Sequence, residues 1–312
     1  MPLPPYTKPP LNVPDQLALL KTRGLHVVDD AEATHYLNHI GYYRLGGYAQ
    51  FFQVGGNGAD HHNFKESVTF DDVLDLYIFD RKLRILLLDA IERIENSIRA
   101  ALSNYPAIAH GAHWYMNPLL FRATYNRKPF DFRRLTDSIK TDIGYCNAGR
   151  QDAYIQHYYM NYGSPDMPPC WMAFQSLSFG SISWAYSYLI DAESKKIAHS
   201  YGLNHDALSS WLHSISYIRN ICAHHSLLWN RRYKIKPLIA RVISNELTAN
   251  TRIYAYLLIM QFMLVRIAPG NHWANKLRLL LDEHPRVSTF VMGFPKQWRS
   301  RAIWGFSSTQ SG

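Results

Sequence analysis

The sequence predicts an all-α protein, and three observations predict it. Apolar residues recur at helical spacing over long stretches that open on good capping residues, no convincing series of alternating strands is present, and no period of roughly 20 to 50 residues repeats. With 312 residues, 47% hydrophobic and 18% charged, the chain can bury a large core, which excludes a mainly disordered, fibrous or collagen-like protein. The expected organisation is one domain over residues 1–312. It has an N-terminal arm and an aromatic, glycine-rich segment at 1–68, a helical core at 69–268 and a C-terminal extension at 269–312.

The opening residues Met1–Pro10 read as an extended arm, since they lack the basic start and apolar run of a secretory signal. A short apolar helix is expected from Pro14 to Leu20. Asp30 then caps a second one, which carries Ala33, Tyr36, Leu37 and Ile40 and stops at Gly41. Tyr42–Tyr48 is aromatic and glycine-rich and fits a short strand or an aromatic-packed helix, both of which stay open. The run Gly55-Gly56-Asn57-Gly58 is a turn.

After Thr69-Phe70-Asp71 the strongest periodic signal begins. Leu76, Phe79, Leu83, Leu87, Ala90, Ile91, Ile94, Ile98 and Ala101 predict a helix of roughly 30 residues. Its charges Arg81, Arg84, Glu92, Arg93, Glu95 and Arg99 are expected to form mostly a solvated face. Residues 117–135, broken by Pro118 and Pro129, interleave Arg122, Arg127, Lys128, Arg133 and Arg134 with Phe121, Tyr125, Phe130 and Phe132. Such a segment suits phosphate contacts and base stacking on an RNA strand, and equally suits a basic surface loop.

Further helices are expected from Trp171 through Leu177, from Gly180 to Leu189, from Glu193 to Tyr201, after the cap Asn204, and at about 238–247 and 252–267. The most apolar stretch, Ile253–Val265, spans roughly 13 residues where a bilayer needs about 20, so it is read as a buried core helix. No membrane partner is expected.

Charge and cysteine content narrow the function. Thirty-three Lys and Arg against 24 Asp and Glu leave a formal charge of +9, which favours a polyanionic partner such as nucleic acid. The three cysteines, Cys146, Cys170 and Cys222, are too few and too far apart for a disulfide framework or a CxxC-type zinc site, which points to a reducing cytoplasm. Cys222, His224 and His225 have no visible fourth ligand, so no metal and no cofactor are expected.

The helix after Asn204 carries the chemistry. Leu208, Trp211, Leu212, Ile215, Ile218 and Cys222 form its apolar stripe, and Arg219 falls inside that stripe, about 20° from Leu208. A guanidinium on an inward face must meet a carboxylate, a carbonyl cage, a subunit interface or an anion. His224 follows about 140° further round, and Asn220, four residues before it, shares its face and is placed to orient the imidazole. His225, Arg231, Arg232 and Lys234 add a basic apron suited to RNA backbone. An imidazole, with its ordinary pKa near 6.5, transfers protons at neutral pH, and an arginine fork stabilises phosphorane charge. RNA supplies its own 2′-hydroxyl nucleophile, so a metal-independent ribonuclease leaving 2′,3′-cyclic phosphate and 5′-hydroxyl ends needs nothing else. The spacing alone is weak, because Arg150 with His157, Arg266 with His272 and Arg278 with His284 are similarly spaced.

Arg219-Asn-Ile-Cys-Ala-His224-His225 followed by Leu228-Trp229-Asn230-Arg231 resembles the signature of the Abi-like, or abortive infection, proteins, a bacterial phage-defence group of the HEPN superfamily. Further runs match that pattern in order: Tyr42-Tyr43-Arg44-Leu45 with Gly47-Tyr48, Tyr77-Ile78-Phe79-Asp80-Arg81, Ile91-Glu92 and Ile94-Glu95, and Pro168-Pro169 before Trp171. Phe179-Gly180 and Met292-Gly293-Phe294-Pro295 before Trp298 complete the series. The resemblance implies a HEPN-type helical bundle core with N- and C-terminal elaborations, with Arg219 and His224 at an endoribonuclease site and Asn220 in support. It also implies a homodimer with a composite site, RNA as substrate or regulator, and an RNA or protein antitoxin as a further partner. One departure stands out: many relatives carry Glu where this chain has Gln175, and a neutral amide cannot pair with the charge of Arg219, a role that Glu92 or Glu95 is placed to take. Two alternatives to the nuclease stand beside it: a non-catalytic RNA-binding HEPN module that holds RNA on the same basic surface, and a protein-interaction or sensor component of a defence locus, in which Arg219 is purely structural.

Overall fold

The structure, a computed structural model, describes residues 5–7, 9–56, 60–145, 147–247 and 249–306. Cys146, Asn57-Gly58 of the expected turn and part of the N-terminal arm lie outside the described residues. The architecture is all-α: twelve α-helices among the described residues, with one two-stranded sheet. The chain divides into two compact units, residues 1–83 with 279–288, and residues 84–278 with 289–312.

The first unit holds α1 (Val13–Thr22), α2 (Asp30–Ile40), α3 (Tyr42–Ala49) and the opening of α4 (Phe70–His110). Asn12 caps α1 through Asp15 N–H, and Asp29, one residue before the expected cap, accepts from Ala31 and Glu32 to start α2. The Tyr42–Tyr48 segment is helical. Gly41, at φ +91°, turns the chain into it, and Leu45 and Tyr48 then bury one face. Thr69 and Asp72 close a reciprocal cap on α4, each accepting from the other's N–H at 3.1 and 2.9 Å. Helix α4 reaches 41 residues rather than 30. Pro106 falls inside it and costs one N–H without ending it.

The second unit contains the rest of α4 and a hairpin of β1 (Thr124–Tyr125) and β2 (Lys128–Pro129). After it come α5 (Phe132–Asp142), α6 (Ala153–Asn161), α7 (Cys170–Ser176), α8 (Phe179–Tyr188), α9 (Asp191–Ser200), α10 (His205–Ala223) and α11 (Ile253–Ile267). Helix α12 (Trp273–Glu283) contributes residues to both units. No helix among the described residues is long and apolar enough to cross a membrane. Helix α10 packs against α8, α9 and α11, which bury the whole expected stripe from Leu208 to Cys222.

Three expectations are corrected. No α-helix forms at 238–247, where only a 3-10 turn at Arg241–Ile243 stands. The backbone there is captured by α10 instead: Trp211 Nε1 donates to the Leu238 carbonyl at 2.8 Å, and Leu238 N–H donates to Ser210 Oγ at 2.9 Å. Arg84 is buried rather than solvated, and donates to the Ser226 carbonyl at 3.4 Å. The segment 117–135 is not all loop, since Asp131 caps α5 and Leu135 and Ile139 bury its apolar side.

The N-terminus of α10 is fixed by Asn204, whose Oδ1 accepts from Ala207 N–H at 2.8 Å. The next residue, His205, is only 6% exposed and lies 5.3 Å from the ring centres of both Tyr125 and Tyr186. Neither of its ring nitrogens has a hydrogen-bond partner among the described residues. Burial first, and then the Arg122 cation, push its pKa down to about 4, so it is neutral in the fold.

Two outcomes follow from this end of the helix. Asn204→Ala is expected to cost about 1 kcal/mol in urea unfolding at pH 7. Since unfolded histidine titrates near 6.5, the unfolded chain binds the extra proton between that pH and pH 4, and the stability that neutral His205 contributes is lost as pH falls through this window. Between pH 7 and pH 5 wild type should therefore lose about 2 kcal/mol relative to His205→Phe, which keeps the ring packing and cannot titrate. Parallel pH profiles of the two proteins would refute this.

Candidate functional site

Helix α10 ends in a tight reversal. His225 N–H donates to the Cys222 carbonyl and Ser226 N–H to the Ile221 carbonyl, both at 3.0 Å, and His225 takes a left-handed backbone at φ +53°. Glycine is the usual occupant of that position, and histidine is among the few side chains that tolerate it. The reversal sends residues 226–234 back as a strap. Leu228, Trp229 and Tyr233 are its buried pegs, while Asn230, Arg232 and Lys234 are exposed and Arg231 is half-buried. Tyr233 ties the strap down, its hydroxyl donating to the Leu228 carbonyl at 2.8 Å and its N–H to the Thr251 carbonyl at 2.9 Å.

Arg219, expected inside the apolar stripe, is exposed. Leu212 and Ile215 lie two turns and one turn before it on the same row, and the cover given to α10 stops after them, while burial continues on the Ile218, Ile221 and Cys222 side. Among the described residues no carboxylate lies within ion-pair distance of Arg219. Its guanidinium's one hydrogen bond among the described residues is a long contact of Nη1 with Asn220 Oδ1 at 3.5 Å. The Asn220 side chain therefore meets the arginine rather than the His224 ring, and His224 receives only the Asn220 backbone carbonyl, at 3.0 Å from its own N–H. Asn220, His224 and His225 are exposed.

Beside Arg219 stands an ion pair on α4. Glu95 pairs with Arg99 one turn away, and Arg99 Nη2 also donates to the Leu177 carbonyl, at 2.6 Å, in the link between α7 and α8. Burial raises the pKa of the Glu95 carboxyl above the ordinary carboxylate range. The cations of Arg99 and then Arg219 pull it the other way, and Glu92 adds a smaller push upward. Arg219 thus feels a carboxylate already claimed by another arginine. Gln175 is exposed and makes no hydrogen bond to Arg219.

The strap carries a second electrostatic feature. Arg252, the cap of α11, donates from Nη1 to both the carbonyl and the side-chain oxygen of Asn230, at 3.1 and 3.0 Å. Burial first, and then the like charge of Arg232, hold the Arg252 pKa below its ordinary value. A pair of cations crowded in this way gains from any anion that joins them. Gly293 backs Arg252: at φ +86°, a Cβ built there would stand 2.7 Å from the Arg252 Cβ, so glycine alone fits.

Cys222 is buried while His224 and His225 are exposed, and no group of three or more His, Cys, Asp or Glu side chains suited to a metal ion occurs among the described residues. Sequence reasoning named Glu95 as a carboxylate placed to meet Arg219, and missed the burial of Arg84 and the link from Arg99 to the Leu177 carbonyl. Arg84 shares a helix face with Leu87 and Ile91 of the α4 stripe, three and seven residues on, and that spacing was the available signal.

No curated protein and no solved structure gives a significant match to the chain. Residues 35–230 match the family model described as Abi-like protein, a segment that opens in α2, takes in Arg219, His224 and the Trp229-Asn230 start of the strap, and stops before Gly293. It covers more than half of the chain and holds the motif together with the α4 ion pair beside it, and on that ground the chain belongs to the Abi-like protein family.

Proposed function

We propose that this Abi-like protein acts in phage defence by abortive infection, as a metal-independent endoribonuclease that cuts RNA through its own 2′-hydroxyl. The observation that carries this reading is the state of Arg219. It is an exposed guanidinium with no carboxylate in ion-pair reach among the described residues, at the same end of α10 as His224 and next to a strap of crowded cations. An arginine in that condition is available to a phosphate, and one committed to a buried ion pair is not.

In the reaction, the 2′-oxygen bonds to the adjacent phosphorus as the bond from phosphorus to the 5′-oxygen breaks. His224 moves the proton, and the Arg219 fork stabilises the additional negative charge of the phosphorane. The Glu95–Arg99 pair acts on Arg219 from behind, biasing the guanidinium without consuming it. Arg219 and His224 leave α10 about 140° apart, so a homodimer that brings two α10 ends together supplies each phosphate with the arginine of one copy and the imidazole of the other. Asn220, through its contact with Arg219, is a positioning residue, and His225, Arg231, Arg232 and Lys234 hold the flanking backbone.

Purified protein incubated with total RNA in EDTA is expected to yield fragments with 2′,3′-cyclic phosphate and 5′-hydroxyl ends. His224→Ala should lower the rate by at least about 10²-fold, and Arg219→Lys by a similar factor, because an ammonium cannot reproduce the planar fork. Both side chains are exposed, so each variant should unfold within about 0.5 kcal/mol of wild type. Fragments with 3′-hydroxyl ends, cutting that stops on chelation, or undiminished cutting by His224→Ala would overturn the reading.

A further inference from the structure

The hairpin of β1 and β2 turns through Asn126 and Arg127, at φ +49° and +62°. Two left-handed residues in a two-residue loop make the turn that favours Asn-Gly, in which the second position goes to glycine because a side chain there is strained. An arginine held where glycine is cheaper points to a use for its side chain. Lys128 follows, exposed like Arg127, and its carbonyl accepts from the Tyr188 hydroxyl at 3.4 Å.

The start of α5 extends the patch with Arg133 and Arg134. Among the described residues, none of Arg127, Lys128, Arg133 and Arg134 takes part in an ion pair. Of the nearby acids, Asp131 accepts from Arg134 N–H as the α5 cap and Asp206 from the Tyr125 hydroxyl, and Asp137, one turn along α5, makes no ion pair with the four among the described residues. Between the cations sit half-buried rings: Phe130 packs on Trp184 with centres 5.1 Å apart and planes 32° apart, and the Arg134 guanidinium lies over Trp184 at 5.3 Å, an aromatic and cationic shelf of the kind unpaired bases stack on.

The patch is continuous with the motif. His213, Tyr217, Asn220 and His224 recur at intervals of four, three and four residues on one side of α10, where His213, Asn220 and His224 are exposed and Tyr217 is half-buried. Partial burial of the His213 ring first, and then the nearby Lys128 cation, lower its pKa, which places the hairpin's Lys128 beside this side of α10. Tyr217 packs edge-on against Tyr233 of the strap, centres 6.4 Å apart. A track about 16 Å long therefore leads along α10 from His213, beside the hairpin's Lys128, to His224.

Resting on the nuclease reading above, we propose that the hairpin tip and the start of α5 form a second RNA contact, which grips single-stranded RNA on one side of the phosphate presented to Arg219 and His224. Arg127, Lys128, Arg133 and Arg134 take the phosphates, and the Arg134–Trp184 shelf takes an unpaired base. A duplex offers no such base, so single strands are preferred.

The test measures binding apart from cutting. In a His224→Ala background, which holds RNA without cleaving it, the anisotropy of a labelled, unstructured 20-nucleotide RNA is followed at several salt concentrations, with and without Arg127→Ala, Lys128→Ala and Arg134→Ala combined. The triple variant should bind about tenfold or more weakly, with the slope of log K against log salt reduced by about 2, three contacts at roughly 0.7 each. A duplex of equal length should bind more weakly and respond less. The three side chains are exposed, so a matching melting temperature shows that the fold is kept. Unchanged affinity and slope would overturn the proposal and leave this face to some other partner. Equal losses for duplex and single strand would overturn its single-strand claim. If wild type never cuts RNA yet the triple variant loses binding, the nuclease reading fails and the RNA surface stands.

Discussion

The one-sided burial of α10 is the constraint on which the rest of the second unit depends. Its neighbours α8, α9 and α11 cover Leu208 through Ile218 and Cys222, which fixes the helix along its length, and the cover ends where Arg219 begins to project. Each buried aliphatic or aromatic side chain on that stripe contributes on the order of 1.5–3 kcal/mol, so the helix cannot roll to hide a charge. Exposure of Arg219 and His224 is therefore a result of packing elsewhere. The reversal at His225 completes it by turning the chain at the helix end rather than letting the helix continue.

Electrostatics around the motif follow from the same frame. Glu95 is partly buried and already bound by Arg99, so it draws on Arg219 without neutralising it. On the strap, Arg232 and Arg252 crowd each other, with a carbonyl and an amide oxygen rather than a carboxylate as acceptors. Both arrangements leave positive potential unspent at the surface. With a formal charge of +9 across the chain, that potential is reinforced over distances up to a Debye length, about 8 Å at physiological salt.

Much of this was legible in the sequence, and the exceptions have physical causes. Caps at Asn204 and Thr69 and the long α4 and α10 stripes depend on neighbours within one or two turns, which sequence spacing records directly. The 238–247 segment misleads because its apolar residues look helical while its backbone is held from outside, by Trp211 and Ser210. Arg219 misleads for a similar reason: the helical wheel gives its direction, and only the ends of α8, α9 and α11 determine whether anything lies in that direction. The site's members on α10 and the strap were named from the motif, and Glu95 was named as a carboxylate placed to meet Arg219, whereas the hold of Arg99 on the Leu177 carbonyl arises only once distant helices meet.

Gly293 stands sixty-three residues past the last position of the family match, and yet its missing side chain is what lets Arg252 reach back to Asn230 within it. The matched segment is thus not self-sufficient in shape: the apron's contour is dictated in part by a contact far downstream. Shortening the protein to residues 35–230 would keep Arg219 and His224 but discard Arg231, Arg232, Lys234 and Arg252 together with the Met292–Pro295 run, so the smallest unit that behaves like this protein extends well past the smallest unit that resembles its family.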